Sequence, residues 1–432
     1  MTVWVLIAGA GAFLASFLLT LVSKNAARLL GLIDVPNERS SHAIPTPRGG
    51  GLAIVLASIA AMAVLGAAGV VPARVCIALC GGGAMVAAVG FIDDCRSLSA
   101  RIRLLVHFVA AAWAVAWIGP ADQLLIGYGA HNLGWAGAAL SVVGIVWFLN
   151  MFNFMDGIDG IAASQAVFMC AGIALLAQFW TGAPGIGACA TVIGTATLGF
   201  LLWNWPPAKI FMGDVGSGYL GFVLAVLGLA GSVHRPSAPW SWLIVAGVFA
   251  IDSTLTVIRR FLRGEKVTAP HRTHAFQLLA QKMGHAKVTA SVILLNLAWL
   301  APFALVSVRH PRDAFWIAVI ALCPLLLCAF AVGAGRAEAP AEAVDSPQRP
   351  SAAVIRLSRS HATEHRAAYD SRIPAASLAH GDNVLPLAGK RLRPFPSHTD
   401  GSAGPGSAHH VGRSKDQAGG EHSFEQSALR NS

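Results

Sequence analysis

The chain has 432 residues, of which 55% are hydrophobic and only 12% charged, with a mean hydropathy of +0.61 and a formal net charge of +10. Ordinary soluble domains carry roughly 25% charged residues, so this composition excludes a soluble globular protein and indicates an integral membrane protein. The basic excess does not call for nucleic acid, because it lies on one side of the membrane and in the C-terminal tail, where lipid and substrate phosphates are sufficient partners.

Continuous apolar runs of about 18 or more residues, long enough for a helix to cross a bilayer core, recur along the sequence. They lack a period of two, which excludes a β-barrel. They predict an all-α polytopic bundle of about eleven transmembrane helices, near residues 3–22, 52–71, 74–92, 102–119, 136–152, 161–180, 186–203, 218–233, 240–258, 288–307 and 314–334. The first run, VWVLIAGAGAFLASFLLTLV, has neither a basic n-region nor a small-residue cleavage site, so it reads as a span and not as a signal peptide. Cys76, Cys80, Cys95, Cys170, Cys189, Cys323 and Cys328 lie almost entirely in apolar segments without metal-type spacing and read as small hydrophobes.

After the first span come Lys24, Arg28, Arg39 and Arg48, in a loop whose DVPNERSSHAIPTPRGGG combines three prolines with three consecutive glycines. Topology explains the arginines. His42 is an additional donor beside Arg39 and Arg48, on a loop whose prolines and glycines fix its shape. The third span ends in GFIDDCRSLS, where Asp93 and Asp94 are adjacent. Neighbouring carboxylates repel unless a cation or proton lies between them, whereas a helix cap needs only one, so the pair points to a metal or a general base.

Between the fifth and sixth spans lies NFMDGIDG. In a helical turn Asp156 and Asp159 would share one face with Cβ atoms about 5–6 Å apart, close enough to share a metal or one substrate group. NWPPAKIFMGDVGSG opens the eighth span with Asp214 in a glycine-rich loop. Free amides at a helix start favour an anion and Asp214 favours a cation, a combination that a metal-bound phosphate satisfies, with Lys209 as a further point charge. The ninth span carries Asp252, which must be paired or face a wet cavity. The loop after it holds Arg259, Arg260, Arg263, Lys266, His271, Arg272 and His274; the His-x-x-His pair exceeds what topology requires and suits phosphate oxygens. From about residue 336 the composition changes to Pro, Ser, His, Gly and Arg without apolar periodicity, which predicts a disordered tail over 336–432 beyond a membrane domain of residues 1–335.

If the spans alternate, every loop rich in lysine and arginine falls on one side, and the opposite loops hold only Arg74, Arg235, Arg309 and Arg312. The positive-inside rule then puts the N-terminus outside and the basic loops and tail in the cytoplasm. All five acid-bearing or basic motifs share that face, which describes one site for divalent cations and a multiply charged phosphate.

With DVPNERSSHAIPTPRGGG, GFIDD, NMFNFMDGIDG, PAKIFMGDVGSG and APHRTHAFQ in this order, over about residues 30–285, the chain resembles the polyprenyl-phosphate N-acetylhexosamine-1-phosphate transferase family, glycosyltransferase family 4. Its HRTH loop, lacking a run of consecutive histidines, looks more like the branch that starts O-antigen or capsule repeats than like the phospho-MurNAc-pentapeptide transferases. The resemblance implies Mg²⁺-dependent transfer, with Mn²⁺ as a substitute, of a sugar 1-phosphate from a UDP-N-acetylhexosamine to undecaprenyl phosphate with release of UMP. It also implies an active site at the cytoplasmic face of the bacterial inner membrane, with a homodimer allowed. Carried over by resemblance, Asp93 and Asp94 are the catalytic pair, Asp214 and Asp159 bind metal, and Asn153, Asp156, Lys209, His271, Arg272, His274, Arg48 and His42 bind substrate. A cation-coupled transporter is the alternative of a different class; it needs acids near mid-bilayer and internal repeats, neither of which stands out.

Overall fold

The computed structural model describes residues 2–29, 32–34, 36, 44–180, 185–266 and 271–337. The predicted tail from residue 338, together with Arg39 and His42 of the first loop, lies outside the described residues. Fourteen helices follow in chain order among the described residues: α1 (Thr2–Leu29), α2 (Gly51–Ala67), α3 (Ala73–Cys95), α4 (Ala100–Ile118), α5 (Trp135–Met155), α6 (Ile161–Leu176), α7 (Ile186–Asn204), α8 (Asp214–Ser232), α9 (Ala238–Val245), α10 (Gly247–Leu262), α11 (Ala275–Met283), α12 (His285–Leu295), α13 (Ala301–Arg309) and α14 (Ala314–Val332). A π-helical turn, Asn296–Leu300, joins α12 to α13. Among the described residues strands are confined to two antiparallel pairs, β1 (Ile33–Asp34) with β2 (Thr46–Pro47), and β3 (Gln123–Ile126) with β4 (Gly129–Asn132).

The protein is therefore an all-α polytopic membrane protein. Among the described residues eight helical segments, α12 with its π-helical turn and α13 counted as one, are long and apolar enough to cross a membrane, or nine if α9 and α10 form one broken span, and the shorter apolar helices α2 and α6 occupy the second and sixth predicted positions. At its centre stands α8, buried from Val215 to Ser232 and packed against α3 and α5. Without water to drive helices together, membrane bundles rely on close packing, and α8 supplies it with glycines among large apolar neighbours. One buried polar contact crosses this core: the Tyr219 and Ser58 hydroxyls lie 2.7 Å apart.

The ninth predicted span departs from a straight helix. It breaks at Ala246, where α9 and α10 meet at 83°. A break in hydrocarbon exposes carbonyls that water cannot reach, so protein must satisfy them. Gln165 of α6 donates from Nε2 to the Val245 carbonyl at 2.9 Å, and Asn296, the first residue of the π-helical turn, donates to Gln165 Oε1 at 2.7 Å. Polar residues of two neighbouring spans thus hold the bend open.

Loop chemistry divides the two ends of the bundle. At one end the hairpin β3–β4 is fastened by Trp240, whose indole donates to the Leu125 carbonyl at 2.6 Å. The other end gathers the loops that carry the acids. Phe211 donates its N–H to the Pro47 carbonyl, and Gly50 and Gly51 donate theirs to the carbonyls of Phe211 and Met212 at 2.9 Å each. The first loop is thereby stitched to the loop that opens α8.

Candidate active site

The site forms where the end of α3 meets the start of α8. A helix start leaves N–H groups without partners and a partial positive charge, both of which a carboxylate satisfies. Asp94, its side chain only 5% exposed, accepts from the N–H of Asp214 at 2.9 Å and of Val215 at 3.0 Å, and pairs with Arg48 Nη2 at 2.8 Å. Its neighbour Asp93 accepts from the Leu98 N–H and from Arg103 Nη1, each at 2.6 Å. Asp214 then lies between the two guanidiniums, 3.6 Å from Arg48 and 3.1 Å from Arg103, and accepts from Asn153 Nδ2 at 3.2 Å. Asn153 also donates to Ser217 Oγ at 2.7 Å. Arg48, Asp93, Asp94, Asn153 and Asp214 are thus brought into one hydrogen-bonded group.

Arg103 belongs to the same group, although a basic residue beside that end of a span is what topology alone supplies. Its signal was spacing: ten residues after Asp93, it opens the helix that packs back against α3. Burial works to lower the Arg48 pKa, but Asp94 and Asp214 outweigh it and hold the guanidinium charged.

The two acids of NFMDGIDG part company. Asp156 feels the group directly: burial first, then Asp214 and, less strongly, Asp94 and Asp159, raise its pKa to about 7, against the opposing pull of Arg48. Asp159 instead accepts from the Ala208 N–H at 3.1 Å and lies 3.3 Å from His285 Nδ1, while its own carbonyl accepts from Thr289 at 3.0 Å. The expected metal ligand of this pair is thus engaged in holding α12 and the loop before α8. The physical reason is that Asp156 lies just past the end of α5 and Asp159 precedes α6, so the two do not share a helical face.

Because the Asp156 pKa is raised above its unfolded value, its neutral form favours the fold, and that contribution disappears as pH rises towards and through 7. In metal-free buffer, Asp156→Asn is expected to melt above the wild type at pH 8, and the gain should vanish as pH falls from about 7 towards 4. Parallel melting curves for the two proteins across that range would exclude the crowding of carboxylates described here.

A second group surrounds Asp252, which is paired, as one of its two alternatives required. Its carboxylate accepts from the N–H groups of Ala275 at 2.9 Å and Phe276 at 3.1 Å, capping α11, and lies 3.6 Å from His274 Nδ1. Leaving two such buried donors without an acceptor costs about 1–3 kcal/mol each. His274 is buried and its ring lies tilted against that of His271, with centroids 4.9 Å apart. Burial, then the neighbouring His274 and Arg260, lower the His271 pKa to about 4, so this imidazole is neutral at pH 7. Arg272 is partly buried in the same segment. The two groups meet where Phe276 lies against Gly157; a Cβ on that glycine would stand 3.0 Å from the Phe276 ring. Lys209 is exposed, with its ammonium 5.5 Å from the centre of the Trp203 ring.

A cavity of about 220 Å³ runs from Asp214, Arg103 and Asn153 between α3, α4, α5 and α8, past Val86, Val89, Leu104, His107, Leu149 and Phe154. Its wall is mostly apolar, with Arg101, Arg103, Asp214, Asn150, Asn153 and His107 as the polar side chains on it. Among the described residues no three His, Cys, Asp or Glu side chains are grouped as a ready-made metal cage.

The family model for Glycosyl transferase family 4 matches residues 76–232, which contain Asp93, Asp94, Asn153, Asp156, Asp159, Lys209 and Asp214 but neither Arg48 nor the histidine segment. The chain is 30% identical over 326 residues, 73% of its length and 88% of the relative's, to the Bacillus subtilis (strain 168) protein named "Probable undecaprenyl-phosphate N-acetylglucosaminyl 1-phosphate transferase". It is 29% identical over 326 residues to the decaprenyl-phosphate N-acetylglucosaminephosphotransferase of Mycobacterium tuberculosis (strain CDC 1551 / Oshkosh), covering 66% of this chain and 78% of that one. A phospho-N-acetylmuramoyl-pentapeptide-transferase of Thermosynechococcus vestitus (strain NIES-2133 / IAM M-273 / BP-1) matches at 34% identity over 197 residues, 43% of this chain and 50% of that one.

Proposed function

Since the chain belongs to glycosyl transferase family 4, among the polyprenyl-phosphate N-acetylhexosamine-1-phosphate transferases, we propose that it moves N-acetylhexosamine 1-phosphate from a UDP-sugar to undecaprenyl phosphate at the cytoplasmic face of a bacterial inner membrane. The observation that carries the reading is one cavity in which Asp214 and Arg103 meet mostly apolar walls of α3, α4, α5 and α8, a combination that suits a phosphate on a long hydrocarbon chain. The lipid-linked product then starts an O-antigen or other envelope polysaccharide.

The reaction joins two anionic phosphates, so the site must offset their repulsion. Arg48 and Arg103 are placed to hold phosphate oxygens as their carboxylate partners give way. The lipid phosphate oxygen attacks the phosphorus that bears the sugar, the bond from that phosphorus to the bridging oxygen breaks, and UMP leaves with that oxygen. The sugar's own C–O bond is untouched, so its anomeric configuration is kept. Asp94 has two backbone donors and Arg48 to satisfy and acts by holding α8 in place. Asp93 shares Arg103, which lines the cavity, and is the better base for any proton on the lipid phosphate. His271, Arg272 and His274 hold the sugar nucleotide.

Mg²⁺ fits the donors present. Asp93, Asp94, Asp156 and Asp214 face two guanidiniums, and burial, then Asp214, Asp94 and Asp159, already raise the Asp156 pKa. Mg²⁺ is usually held by one or two carboxylates together with substrate phosphates, so a complete protein cage is not needed. Asp214 and Asp156 would hold it, and when bound it neutralises the diphosphate and polarises the bond to UMP.

Purified protein supplied with undecaprenyl phosphate, Mg²⁺ and a panel of UDP-sugars is expected to release UMP from a UDP-N-acetylhexosamine. Release of UDP would mean ordinary glycosyl transfer and overturn the reading. The similarity to a phospho-N-acetylmuramoyl-pentapeptide-transferase favours a second donor, UDP-MurNAc-pentapeptide, and the panel includes it.

A further inference from the structure

Sequence composition puts the end of the membrane domain at about residue 335, yet the residues just past α14 are firmly held. Gly333, at φ +97°, ends the helix, and Ala334 is fully buried in a small apolar group with Ala275 and Ala329. Arg259 donates from Nη1 to the Ala334 carbonyl at 2.7 Å while its guanidinium lies 4.3 Å over the Phe330 ring. Arg263 donates to the Gly335 carbonyl. Glu265 fixes that arginine, accepting from Arg263 Nε at 2.8 Å and from the buried Arg260 at 2.7 Å.

This turn reaches the histidine segment through Thr273. The Gly335 N–H donates to the Thr273 carbonyl at 2.7 Å, and the Thr273 hydroxyl lies 3.1 Å from His271 Nδ1. Thr273 is itself buried, between the two histidines in sequence. With Nδ1 taken by the hydroxyl, Nε2 is the ring nitrogen left for a ligand. Gly335 has φ +67°, and a Cβ there would stand 2.9 Å from both Cα and O of Thr256. Only glycine fits that backbone and that gap together.

We propose that the Ala334–Gly335 turn, clamped by Arg259 and Arg263, is a positioning device for the sugar-nucleotide end of the site: it holds Thr273, and through Thr273 the ring of His271. Two tethers, from Arg259 of α10 and from Arg263 just past its end, and one from the segment itself converge on two residues, so the end of α14 and the His271–His274 segment move together. Gly335, Arg259 and Arg263 are positioning residues and need touch no substrate. This inference rests on the reading of His271, Arg272 and His274 as the sugar-nucleotide holders.

The test uses the full chain and measures kcat and both KM values by UMP release. Gly335→Ala and Arg263→Gln are expected to raise the KM for the UDP-sugar about tenfold, with the KM for undecaprenyl phosphate and kcat within about twofold of wild type. Arg263→Lys should recover much of the loss, since the carbonyl still finds a donor. Arg263→Gln leaves the main chain as it is, so it carries the test if Gly335→Ala inserts poorly. A variant in which the UDP-sugar KM does not move, or in which both KM values rise and kcat falls together, overturns the positioning role. Wild type that releases no UMP from any UDP-sugar overturns the underlying reading instead, so the two failures are told apart.

Discussion

Asp214→Asn is expected to lower turnover about 10²–10³-fold, the scale on which loss of one preorganised electrostatic partner acts, while the protein inserts, elutes and melts as wild type does. Asparagine keeps the shape, so the N–H of residue 214 still reaches Asp94 and the start of α8 is unchanged. What disappears is the charge shared with Arg48 and Arg103 at 3.6 and 3.1 Å. The companion variant Asp159→Asn should retain turnover within about tenfold of wild type, because its carboxylate contacts are Ala208 and His285 and its loss is a structural one. Turnover by UMP release at saturating substrates separates the two. Equal losses in both, or near-wild-type turnover in Asp214→Asn, would leave the assignment of the centre without support.

A second large effect comes from a single methyl group. Gly90 lies on the face of α3 that meets the start of α8, and a Cβ there would stand 2.5 Å from the carbonyl oxygen of Asp214 and 2.8 Å from the N of Val215. On helix propensity alone, Gly90→Ala gains about 1 kcal/mol. Overpacking in a filled core costs about 1–3 kcal/mol and sometimes more, and here the obstacle is main chain, which no rotamer relieves. The clash therefore wins, and α3 must shift away from α8. Since Asp93 and Asp94 ride on α3 and Asp214 on α8, a displacement approaching 1 Å is expected to lower turnover about 100-fold, with a fall in Tm. Gly144→Ala, on α5, meets nothing within 4 Å and is the control: its Tm should stay level or rise. If Gly90→Ala melts and turns over like that control, the close approach of α3 and α8 is not what aligns the carboxylates.

Much of the molecule was legible because a membrane makes charge conspicuous. Each predicted span position carries a helix, since apolar length is a one-dimensional property, and the doubled acids stood out in loops that avoidance of the bilayer alone would not fill twice. Partnership was less legible. Asp93 and Asp94 look equivalent in GFIDD, yet one caps α8 and the other holds Arg103, a division that only the approach of two distant helices creates. Arg103 was hidden by having a sufficient explanation in topology. Asp156 and Asp159 were read as one face of a helix, but the helix ends at Met155 and the next begins at Ile161, so spacing of three carried no geometry. The bend at Ala246 had a weak signal in Gln165, a costly residue inside an apolar run, whose partner could be found only in space.

The hold of Asp94 on α8 also has a history in the growing chain. The carboxylate and the N–H groups it accepts from are 120 residues apart, so at roughly 5–20 residues per second α3 leaves the ribosome about 6–24 s before α8 exists. Through that interval the newly made α3 carries two acids at its trailing end with no helix start to receive them. Until then water stands in for the two N–H groups that Asp94 will accept from, which favours keeping this end of α3 at the membrane surface while the next four helices are inserted. The arrival of α8 exchanges that hydration for hydrogen bonds. The same carboxylate is thus a float during biosynthesis and a fastening afterwards.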